Sequence, residues 1–425
     1  MRDRQPFFDP LPAPLARLGS VSVTQFLRRT WHREPLLVRQ AIPGFTSPVT
    51  RDDLFALAQD EEVESRLVEH DTDRWRLRHG PFSARAARAA HAFPGLRRKG
   101  WTVLVQGVDL RLPAVASLAA RFRFLPRARF DDVMISYATD GGGVGPHVDQ
   151  YDVFLLQAQG RRRWRIAEHF DPRLREGAPL RLLANFHAER EWVLEPGDLL
   201  YLPPGVAHDG VAQGESITIS IGFRVPTRQE LADAWAERQG RTAPLPGHLP
   251  DTLRRRATSP ARLPDELVRA ARAALRNTVP TARQLRQTLL EHCTEPKPQV
   301  FFDPPRPPIT PARFAQRIRR GGLAADLRSR MLYSGPDFAI NGELQEALRA
   351  LPAADRRRLR MLAEQGRLPP ESLAGSGTPA GVSAALRDRG IRRTHSQTRV
   401  TALQQPSLDM LLYAWYRNGW LHLFL

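Results

Sequence analysis

The sequence holds a single cysteine, Cys293, in 425 residues. That excludes an internal disulfide and any zinc cluster built on cysteine, leaving His, Asp and Glu as possible metal ligands. Long apolar runs are also missing. Nothing approaches the ~20 residues of a membrane span, and the opening "MRDRQPFFDPLPAPLARLGS" carries charge without the continuous apolar core of a secretion signal. The expectation is a cytoplasmic chain with no membrane contact. Acidic residues are in short supply: 45 Asp and Glu face 63 Lys and Arg, for a net charge of +18. Such a charge suits nucleic acid or a ribonucleoprotein surface, but a general bias toward Arg, Ala and Pro produces it equally well. No Gly-Lys-Ser/Thr follows the glycines at 141 to 143, which excludes a phosphate loop there.

What the chain does hold is 42% apolar and 25% charged residues, as in folded soluble proteins, and enough length for two or three domains. Residues 22–31, "SVTQFLRRTW", read as a helix capped by Ser22 or Thr24 and stopped by Pro35. From 100 onward short β segments follow one another: "GWTVLVQGVDL", "DDVMISYAT", "YDVFLLQ", "RRWRIA", "EWVLEPGDLLYLP" and "ESITISIGF". No helix between them is long enough for a parallel crossover, so the α+β expectation is an antiparallel sandwich or barrel. After Phe223 helical spacing takes over in "RVPTRQELADAWAERQG", "PDELVRAARAALRN" and "TARQLRQTLLEHC". The proline-rich stretch 295–311 reads as an extended linker to a tail of short helices that ends in a helix, an Asn-Gly turn and a strand. Three textures result: 1–225, with a barrel core from about 100 to 225, then 226–300, then 301–425. Within the last, 373–400 reads as a flexible insertion.

Two segments carry chemistry. In "GPHVDQYDVFLLQAQGRRRWRI" His147 and Asp149 stand at i and i+2 of an extended segment, which puts both on one face. In "EPGDLLYLPPGVAHDG" a strand ends in a proline-glycine turn aimed at His208. Two imidazoles and one carboxylate match the facial triad of non-haem Fe(II) oxygenases, which leaves positions open for co-substrate and oxygen. Arg162 lies beyond a turn at Gly160; with "RRWRI" folded back as a hairpin partner it reaches the metal end, where a guanidinium suits a carboxylate. Ser136 can offer a hydroxyl to the same anion, while Arg161 and Arg163 point away by alternation. Two other readings use the same residues: a metal-binding cupin regulator that binds nucleic acid through its tail, and a zinc- or manganese-dependent cupin isomerase or lyase. The remaining histidines lack ligand spacing, and Cys293 lacks the partners of a nucleophile.

With these motifs, and with "TWHREPLLVRQA" and "DFAINGE" outside them, the chain resembles the JmjC-type bacterial ribosomal oxygenases, which depend on Fe(II) and 2-oxoglutarate. The resemblance implies a double-stranded β-helix (cupin, jelly-roll) barrel, then a helical region forming a homodimer, then a winged-helix-like carboxy-terminal domain. It implies iron on His147, Asp149 and His208, and 2-oxoglutarate on Arg162 and Ser136. It also implies hydroxylation of an arginine, at its β carbon, in large-subunit ribosomal protein L-sixteen; the positive charge then offers ribosomal RNA as a further contact or simply reflects composition. Histidine hydroxylation of another ribosomal protein is the alternative within the family. An arginine substrate calls for a carboxylate and an aromatic wall, and Asp140 and Tyr137 are the expected pair.

Overall fold

The computed structural model describes residues 10–71, 74–82, 93–239, 247–250, 256–274, 280–373 and 407–424. Contacts divide the chain into two compact units, Pro12–Pro260 with Pro264–Leu285, and Arg286–Leu425 with Met1–Leu11 and Ala261–Leu263.

The first unit opens with β1 (Arg17–Leu18), β2 (Val21–Ser22), α1 (Val23–Arg29), β3 (Leu36–Val38), α2 (Arg51–Leu57), β4 (Ser65–Asp71), β5 (Arg74–His79), β6 (Trp101–Val105) and α3 (Pro113–Ala120). It continues through β7 (Phe130–Ala138), β8 (His147–Val148), β9 (Asp152–Ala167), β10 (Arg190–Leu194), β11 (Leu199–Leu202) and β12 (Ala207–Phe223), then α4 (Arg228–Gln239) and α5 (Asp265–Ala274). Ten strands form one sheet in the order β3-β11-β9-β12-β7-β6-β4-β5, with β10 against β9 and β8 against β12. All its pairings are antiparallel, as the lack of crossover helices predicts.

Alternation in β9 explains the layers. Phe154 and Leu156 join an outer core with Phe26, Trp31 and Tyr201, whereas Val153, Leu155 and Trp164 lie on the inner face. A strand buried on both faces reads as the continuous apolar run seen in "DVFLL". The outer core is fastened by α1, whose Ser22 cap accepts from the Gln25 amide at 3.2 Å. Trp31 stacks on Tyr201 and Phe154 at 5.5 and 6.1 Å. The helix ends at Arg29, short of Pro35; His32 takes a left-handed φ of 58° there and hydrogen-bonds Asp152 at 3.1 Å.

The expected hairpin at Gly160 is not formed. β9 runs unbroken from Asp152 to Ala167, and β12 accompanies it over seventeen residues. Gly160, at φ +63°, instead sits at a bulge where the register slips between Gln213 and Ile217. A bulge bends and twists a strand without ending it. "YDVFLLQ" and "RRWRI" are therefore two halves of one bent strand that curls around the barrel.

The second unit holds most of α6 (Ala282–Thr294), then α7 (Pro311–Gly321), β13 (Leu323–Ala325), β14 (Met331–Ser334), β15 (Asp337–Ile340), β16 (Glu343–Leu344) and α8 (Ala353–Gln365). β17 (Arg367–Leu368), α9 (Pro370–Leu373), α10 (Leu408–Arg417) and β18 (Leu421–Leu423) complete it. Its strands pair as β17-β13-β18 and β14-β15-β16 around a core of Phe314, Ile318, Leu359, Leu362, Leu412 and Trp415. The stretch expected as a linker packs on this unit: Phe302 lies against the core, and Arg328 donates to the Phe301 carbonyl at 2.6 Å. The terminal helix, Asn-Gly turn and strand appear as expected in α10, Asn418, Gly419 and β18. Beyond Leu373, the expected 373–400 insertion lies outside the described residues.

Candidate active site

β8 pairs with the start of β12 so that His147 stands opposite His208. The ring centroids are 4.3 Å apart. One carboxylate oxygen of Asp149 lies 3.9 Å from His147 Nε2 and 3.6 Å from His208 Nε2. One ligand atom from each of the three lies within 4.8 Å of the others. Both rings are aimed by their other nitrogen: His147 Nδ1 donates to the Gly145 carbonyl at 2.8 Å and His208 Nδ1 to that of Val206 at 3.0 Å. This fixes the tautomer that turns Nε2 toward the site. The proline-glycine turn holds the third side, because the Gly205 amide donates to the Asp149 carbonyl at 2.8 Å. Burial, then the neighbouring His147, lowers the pKa of His208, which favours the neutral imidazole a metal binds.

Arg162 faces the same cavity, of about 500 Å³, as the triad. It sits between Ala212 of β12 and Leu194 of β10 and is 4% exposed. Its guanidinium donates to Ser136 Oγ at 3.0 Å and to Ser216 Oγ at 3.1 and 3.3 Å. No carboxylate among the described residues pairs with it, and burial alone pushes its pKa down to about 10. A buried cation held by two hydroxyls and no counter-ion is a receptor for an anion. The site therefore fits a metal taking two imidazoles and a carboxylate, and a bidentate anion reaching from it to Arg162.

The other two expected residues are not brought to this cavity. Tyr137 follows Ser136 on β7, so alternation sends its ring out of the barrel, where it is 1% exposed and packs on Phe55 and Trp101 at 5.3 and 5.5 Å. Burial first, and Glu215 second, raise its pKa. Asp140 lies past the end of β7 in a separate cavity with Lys99, Arg98 and Arg163. It is paired with Lys99 at 2.8 Å and accepts from the Gly214 amide at 2.9 Å; Lys99 first, and then that amide, lower its pKa. The glycine loop that follows Asp140 is pinned to its neighbours. Gly141 and Ala212 amides donate to Ala212 and Gly142 carbonyls, both at 2.9 Å, and a Cβ on Gly143 would stand 2.5 Å from the Gly210 carbonyl oxygen.

Sequence reasoning missed Ser216, Asp132, Met134 and Tyr151. Asp132 and Met134 share the lumen face of β7 with Ser136, and Tyr151 lies two residues beyond Asp149; all three line the main cavity. Asp132 is buried, and burial together with Asp149 and Asp132 raises the pKa of Tyr151. The period of two from Ser136 was the signal available for Asp132. Ser216 is one hydroxyl among several in "ESITISIGF", and only the cross-strand register selects it.

Comparison with known proteins gives a consistent answer. A JmjC domain model matches residues 117–231, and an AraC-like ligand-binding domain model matches 186–292. The chain is 34% identical over 331 residues to the ribosomal protein uL16 3-hydroxylase of Escherichia coli, covering 75% of this chain and 84% of that one. A probable ribosomal oxygenase of Haemophilus influenzae is 38% identical over 49% of this chain and 51% of its own. The X-ray structure of E. coli YcfD superposes with a TM-score of 0.73 at 29% identity, covering 96% of this chain and all of that one. A YcfD structure in complex with cobalt and 2-oxoglutarate superposes with a TM-score of 0.69 at the same identity, covering 96% and 99%. The chain belongs to the JmjC-domain family of ribosomal-protein hydroxylases, oxygenases that use a metal and 2-oxoglutarate.

Proposed function

We propose that this protein is an Fe(II)- and 2-oxoglutarate-dependent oxygenase that hydroxylates the β carbon of an arginine in ribosomal protein uL16 (L-sixteen). The observation that carries the reading is the uncompensated Arg162 guanidinium in the same cavity as the His147, Asp149 and His208 cluster. His147, Asp149 and His208 hold the iron. Bound there with 2-oxoglutarate and oxygen, the iron supplies the oxidising power that an unactivated C–H bond demands. Arg162 binds the distal carboxylate of 2-oxoglutarate, and Ser136 and Ser216 fix the plane of its guanidinium. The walls formed by Leu155, Trp164 and Leu182 exclude water from the reacting end.

The substrate guanidinium is received by Asp132, with Tyr151 and Met134 as its apolar walls, in place of the Asp140 and Tyr137 expected earlier. A buried carboxylate lining the same cavity as an aromatic ring and a thioether suits a desolvated, planar cation. The lumen position of Asp132 also favours arginine over the histidine of the family's alternative. Hydroxylation is tested by incubating a uL16 peptide with the protein, Fe(II), 2-oxoglutarate and oxygen: the arginine gains one oxygen and one succinate forms per oxygen gained. A gain on histidine, or none, overturns the assignment.

The organisation into a catalytic barrel (1–225), a helical dimerisation region (226–300) and a winged-helix-like domain (301–425) belongs to the same reading. The order α7, β13, α8, α10, β18 with a β17-β13-β18 sheet supports the last of these. The homodimer rests on resemblance, since α5 already buries Leu267, Val268 and Ala271 within the chain. No described helix is long and apolar enough to cross a membrane, and a cytoplasmic location with ribosomal RNA nearby follows from the substrate.

A further inference from the structure

A reaction at Cβ has a consequence for the walls of the cavity. Cβ is only two bonds from the main-chain nitrogen and carbonyl carbon, so the substrate main chain itself must enter the mouth. Its amide groups lose water there and need hydrogen-bond partners.

The face of the barrel formed by β4 and β6 holds such partners. Arg66 and Val68 of β4 line the cavity beside Thr102 and Leu104 of β6 and Gln106 just beyond it. Arg66 stands opposite Leu104, and the Gln106 amide donates to the Glu64 carbonyl at 2.9 Å, so Arg66 and Gln106 are diagonal neighbours on one face. Arg66 Nε and Gln106 Oε1 are both buried and both without a hydrogen-bond partner. Arg66 has no carboxylate partner among the described residues. No described residue hydrogen-bonds these atoms, although buried polar groups are almost always paired. One is a donor and the other an acceptor. Diagonal neighbours across an antiparallel pair lie about 7–8 Å apart, close to the ~6.8 Å two-residue repeat of an extended chain.

We propose that Arg66 and Gln106 form a main-chain clamp for the substrate. Both atoms are covered by their neighbours, so a turn of each side chain about its outer torsions brings Arg66 Nε to a peptide carbonyl and Gln106 Oε1 to a peptide N–H beside the target residue. The clamp rests on the function proposed above. It binds an extended segment whatever its neighbouring side chains are, while Asp132 reads the target. Both are positioning residues, since neither touches the reacting carbon.

The test is a chemical double-mutant cycle. Gln106→Leu and Arg66→Met are assayed on a uL16 peptide and on peptides methylated at each main-chain nitrogen flanking the arginine. Gln106→Leu is expected to lower kcat/KM about 10-fold, chiefly through KM, as the loss of one buried hydrogen bond. One N-methyl peptide loses a similar factor with the wild type and nothing further with Gln106→Leu, whereas Gln106→Glu, which keeps the acceptor, restores the discrimination. Melting temperature and 2-oxoglutarate affinity check that the variants are folded. Losses that multiply at every methylated position overturn the clamp. If the variants do not fold, the wild type decides alone, because tolerance of every flanking N-methyl group also overturns it. A wild type that binds 2-oxoglutarate yet oxidises none of the peptides removes the substrate reading and the clamp together.

Discussion

Replacing Arg162 by Met should stabilise the free protein and ruin co-substrate binding, two effects of opposite sign from one side chain. Burial holds the guanidinium at about 10 against an ordinary value of 12.5. At 1.36 kcal/mol for each pH unit, the charged form costs the fold about 3 kcal/mol at neutral pH. The sign follows from proton counting: the folded state binds fewer protons than the unfolded one between about pH 10 and 12.5, so the penalty is complete below that window. Met fills much of the same volume without charge. Ser136 and Ser216 then lose their donor, at about 0.5–1 kcal/mol each, which leaves a net gain of roughly 1–2 kcal/mol. At about 2–4 °C per kcal/mol for a domain of this size, the melting temperature rises by a few degrees. 2-Oxoglutarate loses the partner of its distal carboxylate in a buried site, at about 3–5 kcal/mol, or roughly 10²–10⁴ in Kd. Calorimetric melting with titration of 2-oxoglutarate in the presence of Mn(II) reads both. A variant that melts lower, or that binds within about threefold of the wild type, refutes the assignment of Arg162 as an anion receptor.

Asp132→Asn should raise the KM for a uL16 peptide about 10-fold or more by removing a buried charge partner, whereas Asp140→Ala, which breaks a surface ion pair with Lys99 and a hydrogen bond from the Gly214 amide outside the main cavity, should change it less than about twofold; steady-state kinetics on both settles the order. Gly160→Ala places a Cβ 1.9 Å from the Glu215 carbonyl oxygen at φ +63°, and should cost about 3 kcal/mol or more in urea unfolding. Gly214→Ala, at φ +78° with nothing within 4 Å, should cost only about 1–2 kcal/mol. In the second unit, burial raises the Asp326 pKa, but hydrogen bonds from Arg328 and His422 prevail and hold it well below the usual range. Its contribution is therefore complete above about pH 4 and fades as the pH falls through the lowered value. The unfolding midpoint of this unit should drop steeply in acid for the wild type and shallowly for Asp326→Asn.

The parts of the site legible in the sequence are those set by neighbours along the chain. His147 and Asp149 share a face by the period of two, and Gly205 and Pro203 announce the turn before His208. Arg162 was found for a partly mistaken reason: it reaches the cavity along a bent strand rather than a returning hairpin, because a glycine of positive φ inside two long paired strands makes a bulge that sequence alone does not distinguish from a turn. Partners set by register were not legible. Ser216 meets Arg162 only because β12 slips against β9 between Gln213 and Ile217. Tyr137 was expected as the aromatic wall beside Asp140, yet alternation places it on the face of β7 opposite Ser136; the same rule, carried back in steps of two, leads from Ser136 through Met134 to Asp132.

The central claim is oxidation at Cβ of an arginine in uL16, and the most direct measurement uses a uL16 peptide whose arginine carries deuterium at both β positions. Mass spectrometry after reaction with the protein, Fe(II), 2-oxoglutarate and oxygen should show a gain of one oxygen with loss of one deuterium on that residue. An oxygen gained with both deuteriums retained, or succinate formed while the peptide stays unaltered, would contradict it.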